Sequence, residues 1–92
     1  VKVKVMFFAP FRELFGVKES EIELSGTPDV EGLLEFLCDS DERREKIFGQ
    51  FGEPRPYVVI LKNGQPIQMS GGIRAELKDG DEIAIFPPVS GG

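Results

Sequence analysis

At 92 residues, with 40% hydrophobic and 29% charged side chains, the chain has the length and balance of a single globular domain with one hydrophobic core. A net charge of −5 sets it against nucleic acid and anionic lipid, which need clustered Lys and Arg, and favours a protein partner with a basic face. No His and one Cys remove the commonest general base, an internal disulfide and the usual zinc constellations, leaving expectations of no metal, no bound cofactor and a reducing compartment.

Residues 1–8 alternate, with Val1, Val3, Val5 and Phe7 on one face and Lys2, Lys4, Met6 and Phe8 on the other. Period 2 with β-branched residues predicts a half-buried strand. Residues 10–16 read as a turn or one helical turn closed by Gly16, and alternation resumes over 20–24, giving a hairpin with a long loop. Thr27, Pro28 and Asp29 then read as cap, first helical position and dipole-matched acid. Val30, Leu33, Leu34, Leu37 and Cys38 follow at helical spacing on one stripe, which places Cys38 in the core as a packing residue.

Asp39 with Glu42 resembles a capping box for a short second helix pinned by Ile47, Phe48 and Phe51 and broken by Gly49, Gly52 and Pro54. Residues 57–62 are a near-continuous apolar strand, hence an interior or well-covered one. Asn63-Gly64 is a hairpin turn signal, with a brief return strand over 66–68 that Pro66 keeps at an edge. The last strand is 82–86, with Ile83 and Ile85 on the core side and Glu82, Ala84 and Phe86 opposite. This order of strands and helices, without βαβ repetition, predicts an α+β fold: one domain over 1–92 with a mixed sheet and a helix on one face.

Two strands depart from their own pattern. Their outward faces begin polar, at Lys2, Lys4 and Glu82, and turn apolar at Met6, Phe8, Ala84 and Phe86. If the two strands are parallel neighbours, these four residues form one docking patch on the helix-free side. The competing expectations are that isolated exposed aromatics are ordinary, or that segment 39–55 covers them.

Pro87 and Pro88 cannot continue a ladder and favour a stiff extended tail over 87–92, reaching about 20 Å at ~3.3 Å per residue. Gly91 and Gly92 follow, and glycines, lacking Cβ, pass a narrow channel and adopt any φ. Their carboxylate is inert until joined to a leaving group; adenylation supplies one, and the acyl-adenylate then accepts sulfur or an amine. Intrinsic catalysis is not expected. The carboxylates lie mostly in polar runs such as Asp39–Glu45 and Asp79–Glu82, and no Walker, G-x-S-x-G or G-x-G-x-x-G motif occurs. No apolar run approaches the ~20 residues of a membrane span, and the alternation of Val1–Val5 is unlike a signal peptide, so a cytoplasmic location is expected.

The stretches Phe7-Phe8-Ala9-Pro10-Phe11-Arg12-Glu13-Leu14-Phe15-Gly16 and Leu77-Lys78-Asp79-Gly80-Asp81-Glu82-Ile83-Ala84-Ile85-Phe86-Pro87-Pro88-Val89-Ser90-Gly91-Gly92 resemble the small subunit of molybdopterin synthase. That is the MoaD-like branch of the ubiquitin-fold sulfur carriers. The resemblance implies a β-grasp fold with the first and last strands parallel. It implies that Gly92 is adenylated by an E1-like enzyme using ATP, then converted to a thiocarboxylate with sulfur from a donor protein. The sulfur would pass, within a complex with the large synthase subunit, to the pterin precursor of molybdenum or tungsten cofactor. Docking residues of the family carry over to Phe8, Arg12 and Phe86. A sister carrier for thiamine, a protein modifier that joins lysines through isopeptides, and a plain interaction module are the other readings.

Overall fold

The computed structural model describes residues 1–9, 11–49, 52–55 and 58–86. The alternating start of the chain forms strand β1, Lys2–Phe7, with Val3, Val5 and Phe7 buried on its inner face. Helix α1, Phe11–Phe15, is the short helical turn expected in the loop between the first two strands. It buries Phe11 and Phe15, and the Phe15 ring stacks on Phe7 at 4.5 Å between centroids. Gly16 ends it at φ +80°, a conformation that costs glycine little. Strand β2, Glu19–Glu23, returns antiparallel to β1, with Val3 opposite Ile22 and Lys4 opposite Glu21.

Helix α2, Val30–Leu37, carries the expected apolar stripe: Val30, Leu33, Leu34 and Leu37 are all buried, and Cys38 at its C-cap is buried with them. Its start differs from expectation. Asp29, not Thr27, is the cap, its carboxylate accepting from the Gly32 N–H at 2.8 Å. The cause lies outside the helix. Asp29 bridges Glu76, the Pro28 carbonyl accepts from the Leu77 N–H and the Val30 N–H donates to the Ala75 carbonyl, which holds the backbone before Val30 extended.

Helix α3, Asp41–Ile47, is likewise capped one residue later than expected, by the Ser40 hydroxyl accepting from the Arg43 N–H. Asp39 instead pairs with the Arg43 guanidinium at 3.0 Å. Ile47 and Phe48 enter the core as expected, whereas Phe51 lies outside the described residues.

Strand β3 is Val59–Lys62; of the expected 57–62 strand, Tyr57 lies outside the described residues. Asn63 at φ +51° and Gly64 at φ +85° form the tight turn into β4, Gln65–Pro66. The return strand is shorter than expected, because Ile67 turns inward to the core and begins a 3-10 helix, Ile67–Ser70. A second one, Gly72–Arg74, precedes the last strand, β5, Glu82–Phe86.

The five strands lie in the order β2-β1-β5-β3-β4, with β1 and β5 parallel and the other pairings antiparallel. Helix α2 packs on one face, where Val3, Val5, Phe7, Ile60, Ile83 and Ile85 join its stripe in a single core. This is the β-grasp arrangement that the resemblance implies. Each fully buried Leu or Ile in it contributes about 1.5–3 kcal/mol.

Candidate functional site

The parallel pairing of β1 with β5 decides what the open face carries. Its register sets Lys4 beside Glu82, Val5 beside Ile83, Met6 beside Ala84 and Phe7 beside Ile85. One residue further on, the Phe8 N–H donates to the Ile85 carbonyl, and the Phe8 ring lies flat on Phe86, with centroids 4.2 Å apart and planes 9° apart. The four residues singled out by broken alternation are thus brought together. Ala84 is buried, while Met6, Phe8 and Phe86 are half-buried, and none of the four belongs to the core cluster.

The patch is wider than the first and last strands. Val59 sits opposite Phe86 and Leu61 opposite Ala84, so β3 adds both to the same face. Val59 is exposed and Leu61 half-buried. Sequence reasoning missed them because Val59–Leu61 is apolar throughout and the polar residue of β3, Lys62, pairs with buried Ile83 on the inner-face parity, so it does not mark the side that faces out. The available signal was that its apolar run supplies both faces at once. The face therefore has an apolar half, ending at Phe8, Phe86 and Val59, and a charged half at Lys2, Lys4, Glu21, Glu23 and Glu82. Of segment 39–55, the buried described side chains Ile47 and Phe48 belong to the core behind the sheet, and Gln50 and Phe51 lie outside the described residues.

Arg12 stands at the same end. It is half-buried on α1, its backbone N–H donates to the Phe8 carbonyl at 3.1 Å, and its Nε donates to the Phe7 carbonyl over a long 3.5 Å. No ion pair among the described residues includes Arg12. Phe8, Arg12 and Phe86 thus cluster where β5 hands the chain to residue 87. Pro87, Pro88, Gly91 and Gly92 lie outside the described residues.

The loop entering β5 is fixed by Asp81. One oxygen accepts from the Asn63 amide at 2.9 Å and the other from the Lys78 N–H at 2.8 Å. Burial works against its charge, but these bonds and the nearby Lys62 and Lys78 hold its carboxyl below the usual range. Asn63 in turn accepts from the Glu82 N–H at 2.9 Å, so the β3–β4 turn locks the start of β5. Cys38 is held neutral: burial pushes its thiol up to about 11, and Sγ faces the Arg43 carbonyl at 3.7 Å. That is a packing role. Among the described residues no His, Cys, Asp and Glu side chains group as a metal site, and no helix is long and apolar enough to cross a membrane.

Residues 5–92 match the family model described as the ThiS family. The chain belongs to that family. It is 33% identical over 93 residues to small archaeal modifier protein 3 of Haloferax volcanii, with 100% of both chains covered. It is 32% identical over 92 residues to a molybdopterin synthase sulfur carrier subunit of Chlamydomonas reinhardtii, again with 100% of each covered. Among solved structures, the crystal structure of SAMP1 from Haloferax volcanii superposes with a TM-score of 0.84 at 28% identity, covering 100% of both chains. The chain is therefore a ubiquitin-like β-grasp member of the sulfur carrier and modifier group, and it resembles the molybdopterin synthase small subunits over its whole length.

Proposed function

We propose that this chain is the sulfur carrier of molybdopterin synthesis, the sulfur-donating small subunit of a two-part synthase in which it is not itself the catalyst. The observation that carries the reading is the Phe8–Phe86 stack beside Arg12, at the point where the chain runs on toward Gly92. A partner gripping that patch holds the root of the tail, and the remaining residues span about 20 Å at ~3.3 Å each, enough to enter its active site. The family match running through to residue 92 supports the same reading.

The chemistry follows from the carboxylate of Gly92. Its oxygen attacks the α-phosphorus of ATP on an E1-like enzyme and pyrophosphate leaves. Hydrosulfide released by a donor protein then displaces AMP from the acyl carbon, and the resulting thiocarboxylate carries sulfur to the pterin precursor held by the large synthase subunit. Pro87 and Pro88 keep the tail extended, and Gly91 passes the channel. No step asks this chain for a bound cofactor, and the cytoplasm is the compartment that suits it.

The likeness to a small archaeal modifier protein favours a second reading, in which the same adenylate meets a lysine amine and forms an isopeptide. Mass spectrometry of the chain purified from its native host separates the two. Oxygen-to-sulfur exchange at the C-terminus is the expected result; a ladder of lysine-linked adducts without that exchange overturns it. A deletion strain with normal molybdoenzyme activity also overturns the pathway assignment.

A further inference from the structure

Strand β2 forms one edge of the sheet, and three kinds of group line that edge. In its antiparallel pairing with β1, the Leu24 N–H donates to the Val1 carbonyl and the Phe7 N–H donates to the Lys18 carbonyl. Ladder bonds alternate along such a pair, so Lys18, Ser20, Ile22 and Leu24 turn their backbone groups toward β1. Glu19, Glu21 and Glu23 therefore turn theirs to the open edge. The same three residues are exposed and make no ion pair among the described residues. On the opposite side of the strand, Ile22 and Leu24 are half-buried against the core, leaving an apolar margin.

We infer that the β2 edge is a docking site for an extended protein segment that alternates Lys or Arg with β-branched residues, added as a sixth strand. Charge selects this occupant. The outward face near β2 carries Glu19, Glu21, Glu23, Asp79 and Glu82 against Lys2 and Lys4, an excess of negative charge. A second copy pairing edge to edge would set two rows of Glu against each other, which is how charged edges prevent self-association. A basic strand reverses that penalty. The chain itself shows the fit, because β1 lays Lys2 and Lys4 opposite Glu23 and Glu21 while Val3 packs beside Ile22 on the inner side. Main-chain bonds to Glu19, Glu21 and Glu23 would supply affinity, and the alternating side chains would supply selection. This surface lies across β1 from the Phe8–Phe86 patch, and a partner on one does not require the other.

The test uses the full chain, labelled with nitrogen-15, and two capped synthetic peptides, Lys-Val-Lys-Val-Lys-Val and Glu-Val-Glu-Val-Glu-Val. The basic peptide is expected to slow amide hydrogen exchange at Glu19, Glu21 and Glu23 and to bind at least about tenfold more tightly than the acidic one, a difference of about 1.4 kcal/mol. Glu21→Lys should reduce binding of the basic peptide, whereas Glu21→Pro, which removes an edge N–H but no β1 ladder bond, should reduce binding of any strand there. Should Glu21→Pro lower the melting temperature, the exchange measurement on the unaltered chain still decides. Unchanged exchange at the three glutamates, equal affinity for both peptides, or no binding up to millimolar peptide overturns the inference.

Discussion

The two faces of the sheet hold similar residues in different settings. Val5, Ile83 and Ile85 on the inner face are buried beneath α2, and their apolar area stabilises the fold. Phe8, Phe86 and Val59 on the outer face are as apolar, yet they stay half-buried or exposed and stand outside the core cluster. Hydrophobicity alone therefore does not assign a role. What separates the two sets is their setting: α2 packs over the inner one, and the outer one is the face on which the proposed function places a partner.

Single-residue changes on each face, and at the tail, put that contrast to the test. Gly92 deletion should abolish sulfur transfer, read as loss of the C-terminal thiocarboxylate by mass spectrometry, with an unchanged melting temperature; a lower melting temperature would tie the tail to the fold. On the inner face, Leu34→Ala should cost about 2–5 kcal/mol in a urea melt, because the fully buried site leaves a cavity. On the outer face, Phe8→Ala should weaken binding to the activating partner by about 2 kcal/mol, as for an aromatic hot spot, while costing far less stability than Leu34→Ala. A stability loss as large as that of Leu34→Ala would make Phe8 a core residue.

Acid should act more gently, on carboxylates held below their usual range, of which Asp81 is the more enclosed and Glu35, bonded to Arg44, the more exposed. Asp81 has its folded carboxyl pKa held below the ordinary value near ~3.9, so its contribution is complete above that value and is lost as pH falls through the lowered one. Asp81→Asn should flatten the fall in stability below about pH 4, measured by melts across pH. Smallest of all, Cys38 should barely react with iodoacetamide near neutral pH, since its thiol titrates at about 11, and should react readily once the chain unfolds.

The inner face was legible in the sequence because periodicity announces it: 2 along β1 and β5, 3.6 along α2. The outer patch was half legible. Met6, Phe8, Ala84 and Phe86 broke an alternation that should have stayed polar, but no local pattern makes β1 and β5 neighbours, and that adjacency came from the family resemblance. Val59 and Leu61 were hidden, since a strand apolar on both faces has no phase to read. Caps were off by one or two residues, because Thr27, Asp29, Asp39 and Ser40 are all competent caps and the tertiary bridge from Asp29 to Glu76 chose between two of them. Arg12 carried no pattern at all; its place beside Phe7 and Phe8 is a product of the fold.

The most direct test of the outer face as the grip that delivers Gly92 is ATP–pyrophosphate exchange by the host's adenylating enzyme, with the native chain and Phe86→Ala as alternative substrates. The account predicts a KM raised at least about tenfold, with kcat and the chain's melting temperature close to native. An unchanged KM would show that the tail is recognised without the stacked pair and would contradict it.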